Sequence, residues 1–161
     1  MRRKDREITD QREIRRIIDA AIVCRLALNT DEAPYIVPLN FGVLWDGESP
    51  LFYFHSARRG YKFALLELDD RAALEIDSYG EVAQEGRYCQ YGLPYRSVIA
   101  TGRIEIVTDA EEKTRGLRAI VGHSCRDGQL VAPDFRFSEA ELDGVCVYKL
   151  MVRQLSAKGS G

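Results

Sequence analysis

"YIVPLNFGVLW", residues 35–45, alternates its large apolar side chains, with Tyr35, Val37, Leu39 and Phe41 on one face of an extended chain. That period predicts a β segment half buried on one side. Pro38 interrupts it, and because proline donates no backbone hydrogen bond, the segment is expected to lie at a sheet edge or to carry a bulge there. A similar run precedes it. In "IVCRLALN", residues 22–29, Cys24, Leu26 and Leu28 fall on one face and Val23, Arg25 and Ala27 on the other. "NTDEAP" between the two reads as a turn.

The same pattern continues outward. "DGESP" turns the chain into a third strand, "LFYFH" (51–55), and "AALEID" (72–77) reads as a fourth. "YRSVIATGRIEIV" (95–107) is a fifth, long strand with Gly102 as a bend or bulge, and "VCVYKLMVRQL" (145–155) is the last. Asp10 and Glu13 form a capping box ahead of Ile14, Ile17, Ile18 and Ala21, which predicts a short amphipathic helix over about 10–21. Tyr61–Leu68 reads as a second short helix. Thr108 to Glu111 opens another through Val121, and Ser138 to Glu141 a brief one. The tail, 156–161, is expected to be mobile. Two loops, 78–94 and 122–137, are long enough to carry function and to shape a substrate pocket.

Strands joined mostly by tight turns, without a regular βαβ alternation, predict a single domain over 1–161. The fold class is mainly β: an antiparallel barrel with peripheral helices packed outside.

Composition narrows the function classes. The 161 residues are 45% hydrophobic and 30% charged, as in an ordinary soluble globule. Twenty-three basic against twenty-five acidic residues leave a net charge of −2, which argues against a general electrostatic nucleic-acid binder. No apolar run approaches the roughly 20 residues that span a bilayer, and the charged start "MRRKDREITD" lacks the apolar core of a signal peptide. Cys24, Cys89, Cys125 and Cys146 stand far apart with no C-x-x-C pair, and there are only two histidines. No structural zinc site is expected; the reading is reduced thiols in a cytoplasmic protein with no membrane or nucleic-acid partner.

One junction carries chemistry. "FYFHSARRGYKFALL", residues 52–66, runs from a strand through a Gly-bearing turn into a helix. A helix N-terminus offers unpaired N–H groups and a positive dipole end. Ser56 adds a hydroxyl, Arg58, Arg59 and Lys62 add charge, and Gly60 lets a ligand approach the backbone. Those are the parts of a phosphate cradle. On residue types alone, Ser56 reads equally as a helix cap and Arg58–Arg59 as solvated surface. His123 reads as a helix C-terminal residue whose charge suits the dipole, or as a donor to substrate.

"RLAL…PYIVPLNFG", then "FHSA…GxK", then "YRSVIATGRIEIV", in that order and behind an "MRRKDREI" start, resemble the flavin-binding split β-barrel family related to pyridoxamine 5′-phosphate oxidase. More narrowly they resemble its nitroimidazole-resistance (5-nitroimidazole reductase) branch, from Met1 to about Val107 and again loosely in the last strand. The resemblance implies FMN held at the interface of a homodimer. It implies that Val37, Pro38, Leu39 and Asn40 lie along the edge of the flavin ring, with a carbonyl freed at Pro38. It implies that His55, Ser56 and Lys62 embrace the ribityl phosphate or the adjoining ring edge, and that Arg96 and Ser97 approach the same cofactor, from the partner chain in one arrangement. His55 is the candidate proton donor. The implied activity is FMN-dependent reduction of a small electron-poor aromatic such as a nitroimidazole or quinone. A flavin-holding or sensing module without turnover is the alternative, as is a split barrel that holds haem or a deazaflavin.

Overall fold

The computed structural model describes residues 3–82, 92–125 and 136–160. The middles of the two long loops, with Cys89, lie outside the described residues. In chain order the strands are β1 (Glu7–Ile8), β2 (Val23–Leu28), β3 (Tyr35–Asn40), β4 (Gly42–Asp46), β5 (Ser49–Ser56), β6 (Arg71–Tyr79), β7 (Tyr95–Val107) and β8 (Cys146–Ser160). The helices are α1 (Gln11–Ala20), α2 (Tyr61–Leu68), α3 (Ala110–Ser124) and α4 (Glu139–Gly144).

Every strand pairing is antiparallel, and the sheet runs β3-β2-β6-β7-β8-β5-β4, with β1 added beside the end of β8. β3 and β4 therefore stand at opposite ends of this order, yet only Phe41 separates them in the chain. Successive Cα atoms are about 3.8 Å apart, so the two ends must meet at this residue. The sheet is curled into a split barrel. The segment 35–45, read as one strand from its sequence, is thus two strands that form opposite edges. Phe41 is wholly buried at the crossover, where its ring packs on Phe52 at a centroid distance of 5.7 Å.

Alternation in the sequence maps onto the barrel wall. Cys24, Leu26 and Leu28 of β2 are buried, as are Phe52 and Phe54 of β5, Leu74 and Ile76 of β6, Val98 and Ala100 of β7, and Tyr148 and Leu150 of β8. α1 lies against β6 and β7 and adds Ile14, Ile17 and Ile18 to the same core. α3 packs on the outside of the barrel instead, where Leu117 and Ile120 cover Tyr53, Val107 and Val147. Glu112 of α3 accepts from the Tyr53 hydroxyl (3.1 Å) and from Lys149 Nζ (2.8 Å), and this half-buried ion pair fixes the helix on β5 and β8.

Glycine permits the tightest approach between strands. The β7–β8 register shifts between Thr101 and Gly102, and a Cβ on Gly102 would lie 2.0 Å from the Met151 carbonyl oxygen. The expected bulge is there, and it requires glycine.

Three sequence expectations change. Residues 156–160 are not a loose tail but the end of β8, in register with Tyr95–Ile99 of β7. Asp10 does cap α1, accepting from Arg12 N at 2.9 Å, but Glu13 is drawn away to Arg96 (2.9 Å) and closes no capping box. α3 is capped by Asp109 accepting from Glu112 N (2.8 Å), one residue later than the pattern suggested. Of the two expectations for Pro38, an edge or a bulge, the edge holds: β3 ends the sheet, and the β2–β3 register is continuous from Val23–Asn40 to Leu28–Tyr35. The box at Ser138 and Glu141 forms as expected.

Candidate functional site

β5 ends at His55 and Ser56. Its alternation sends Phe52, Phe54 and then Ser56 inward, and Tyr53 and His55 outward. The chain then turns through residues 57–60 into α2, with Gly60 at φ +108° as N-cap. No side chain caps this helix. The Ser56 hydroxyl, the nearest candidate, donates to the Ala57 carbonyl at 3.1 Å instead. The first-turn amides of α2 are therefore left for a ligand or water, at the positive end of the helix.

Basic groups converge on that end. Lys62 lies in the first turn, half-buried, its Nζ 5.8 Å from the centre of the Tyr148 ring. Burial pushes its ammonium down from the ordinary lysine value. Desolvation first, and the Lys62 charge second, hold His55 below the ordinary histidine value. The unfolded chain thus takes up the His55 proton first on acidification. Its contribution to stability is intact above the ordinary histidine range and falls as pH drops through it. Burial pushes the Cys146 thiol up, against the opposing charges of Arg58, Lys113 and Lys62. At the foot of the site Cys24 is held up to about 12 by burial, an inert thiol donating weakly to the Leu39 carbonyl (3.6 Å).

The structure puts Ser56 on the inner face at the end of β5 and His55 on its outer face, within reach of the Lys62 charge. It treats the β3 residues differently. Val37 and Leu39 point inward and pack on the core, so only their backbone can face a ligand, whereas Pro38 and Asn40 are exposed on the outer face. Arg25 is engaged on that face by Glu75 (3.1 Å) and by Asp77. Arg96 is held by Glu13, and Ser97 lies opposite Lys158.

Arg96 and Ser97 are far from the cradle within one chain. His55 pairs with Val147 and Arg96 with Gly159, twelve residues further along β8. At about 3.3 Å per residue that is roughly 40 Å of strand. His123 is remote in another way. In the last turn of α3 its Nε2 is 2.7 Å from the Ala21 carbonyl, and its ring lies 4.4 Å from that of Phe41. It braces the ends of α1 and α3 across the barrel closure.

Tyr148 was missed by sequence reasoning. It reads there as one more aromatic on a strand. In the fold its ring stacks on Phe54 at 5.3 Å, and its hydroxyl is fully buried without a hydrogen-bond partner.

The family model for pyridoxamine 5′-phosphate oxidase matches residues 10–159, nearly the whole chain. The chain belongs to the pyridoxamine 5′-phosphate oxidase family. Among solved structures, this family member is similar to a candidate 5-nitroimidazole antibiotic resistance protein from Bacteroides thetaiotaomicron. That pair is 27% identical with a TM-score of 0.78, over 95% of this chain and 86% of the other. It also shares its fold with a FAD- and haem-binding protein from Mycobacterium smegmatis (20% identity, TM-score 0.80, 96% and 73% covered). A FAD-binding protein from Mesorhizobium loti has the same fold (21%, 0.66, 97% and 98%). No curated protein sequence matches this family member. Among the described residues, no helix is long and apolar enough to cross a membrane.

Proposed function

We propose that this protein is a cytoplasmic FMN-dependent oxidoreductase, working as a homodimer on small electron-poor aromatics such as nitroimidazoles. The observation that carries this reading is the uncapped N-terminus of α2, with the half-buried Lys62 in its first turn and Ser56 at the end of the strand before it. An uncapped helix end with a half-buried lysine leaves both hydrogen bonds and charge unsatisfied, and a phosphate would supply what is missing. Membership of the family and the likeness to the nitroimidazole resistance protein support the choice of ligand and substrate. FMN bound there would supply the redox chemistry. The chain would hold the phosphate with Ser56, Lys62 and the α2 amides, and would line the ring edge with the β3 backbone and Asn40. His55, whose protonated form burial and the Lys62 charge disfavour and so make a stronger acid than an ordinary imidazolium, would pass a proton to substrate.

Titration with FMN tests the first half. The expected result is a yellow protein that binds FMN and oxidises reduced nicotinamide when a nitroimidazole is added. His55→Ala should keep the flavin and lose turnover about a hundredfold or more, the range of general acid–base catalysis. A colourless protein without measurable FMN affinity overturns the reading.

The homodimer is supported by the outer face of β2, β3, β6 and β7. Ile36 (63% exposed) stands on it in one row with Ala27 and Ala73, and Val23, Pro38 and Ile99 lie on the same face around the Arg25–Glu75 ion pair. Apolar side chains grouped on one sheet face suit burial against a second copy. A second copy also gives Arg96 and Ser97 a route to the cradle that one chain denies them. Ile36→Asp should shift the protein from dimer to monomer by light scattering at micromolar concentration. A wild-type monomer with FMN bound would sink the proposal.

A further inference from the structure

Tyr148 lies beside Ser56 by register. On the β5–β8 ladder Phe54 pairs with Tyr148 and Ser56 with Cys146, so Ser56 and Tyr148 are diagonal neighbours on the inner face of the barrel. Such neighbours are within reach of an aromatic side chain. The Tyr148 hydroxyl is close to Ser56, yet neither Ser56 nor any other group meets it in hydrogen-bond geometry, although the residue is 0% exposed. A buried donor left unpaired destabilises the fold, and cores rarely keep one without a use. The face of the same ring lies under the Lys62 ammonium. One side chain therefore lies next to both groups assigned to the phosphate.

Resting on that cradle reading, we propose that Tyr148 is a positioning residue for phosphate recognition: its hydroxyl donates to Ser56 Oγ when a phosphate draws the Ser56 hydrogen away from the Ala57 carbonyl. In the empty protein Ser56 donates to Ala57, and the phenol is orphaned. With phosphate present, the Ser56 side chain turns to donate outward, and that turn brings a lone pair of its oxygen into line to accept from Tyr148. The relay satisfies the buried phenol only in the loaded state, so it adds to affinity for a phosphorylated flavin and not to the empty fold. Coupled hydroxyls of this kind are worth more together than apart.

Tyr148→Phe removes the hydroxyl and keeps the ring beneath Lys62. Three readouts are expected: an unchanged or higher melting temperature without ligand, FMN affinity weakened roughly three- to tenfold, and riboflavin affinity unchanged. In a Ser56→Ala background Tyr148→Phe should cost nothing further. Ser56→Ala alone should lose at least as much FMN preference as Tyr148→Phe, an arm that holds if the tyrosine variant does not fold. A lowered melting temperature with equal loss of both flavins, additivity with Ser56→Ala, or an unaltered FMN preference in Ser56→Ala each overturns the relay. A wild type that binds FMN and riboflavin equally well refutes the cradle instead, and that result is visible before any variant is made.

Discussion

Lys62→Ala is expected to weaken FMN binding about ten- to hundredfold, the worth of one charge-assisted hydrogen bond at roughly 1.5–3 kcal/mol. Riboflavin, which lacks the phosphate, should bind poorly to wild type and equally poorly to the variant. Fluorescence titration of both flavins reads this directly. The size follows from where Lys62 sits. It is half-buried in the first turn of α2 with the Tyr148 ring below it, and burial already disfavours its charge. A solvated lysine has water to satisfy it; this one gains more from an anion. The same lowered value sets a pH signature. As pH rises, the free protein loses the Lys62 proton below the ordinary lysine range, so wild-type FMN affinity should begin to fall there. Lys62→Ala, having no such proton, should not share that fall. If the variant binds FMN as well as wild type does, the junction after β5 is only an open helix end.

Much of the barrel was legible because its strands are two-faced. Tyr61–Leu68 and Tyr95–Val107 fold with the bounds read from their periodicity, and Gly102 marks its bulge, since no side chain fits beside Met151. What alternation cannot show is which strand a strand pairs with. Residues 35–46 keep one period through Phe41, so nothing local says that Asn40 and Gly42 belong to opposite edges. The tail was misread for a similar reason: Lys158, Gly159 and Ser160 have loop-like composition, but β7 supplies the partner that orders them. At the site, His55, Ser56 and Lys62 were legible because they are close in sequence. Arg96 carried no sign of being held by Glu13 some eighty residues away, nor Tyr148 of lying beneath Lys62. Those facts belong to register, which exists only once the sheet has closed.

Gly42→Ala should test that closure, with a melting temperature lowered by roughly 5–10 °C. A Cβ at position 42 would lie 2.4 Å from Ile120 N and 2.5 Å from the Ala119 carbonyl carbon, both backbone atoms of α3. A flexible side chain could swing aside, but a helix backbone cannot. α3 would have to lift from β4, opening its contacts with Tyr53 and Val147 and straining the His123 bond to the Ala21 carbonyl. Overpacking of this kind costs about 1–3 kcal/mol, and a backbone clash belongs at the upper end. For a chain of this length each kcal/mol moves the midpoint by about 2–4 °C. Gly122→Ala is the control. It lies in α3 with nothing within 4 Å of the added carbon, so the variant should gain up to about 1 kcal/mol of helix propensity and melt no lower than wild type. Opposite signs for one substitution at two glycines would follow from the close approach of α3 to the start of β4. A Gly42→Ala protein that melts with wild type would mean that the edges joined at Phe41 are looser than this packing requires.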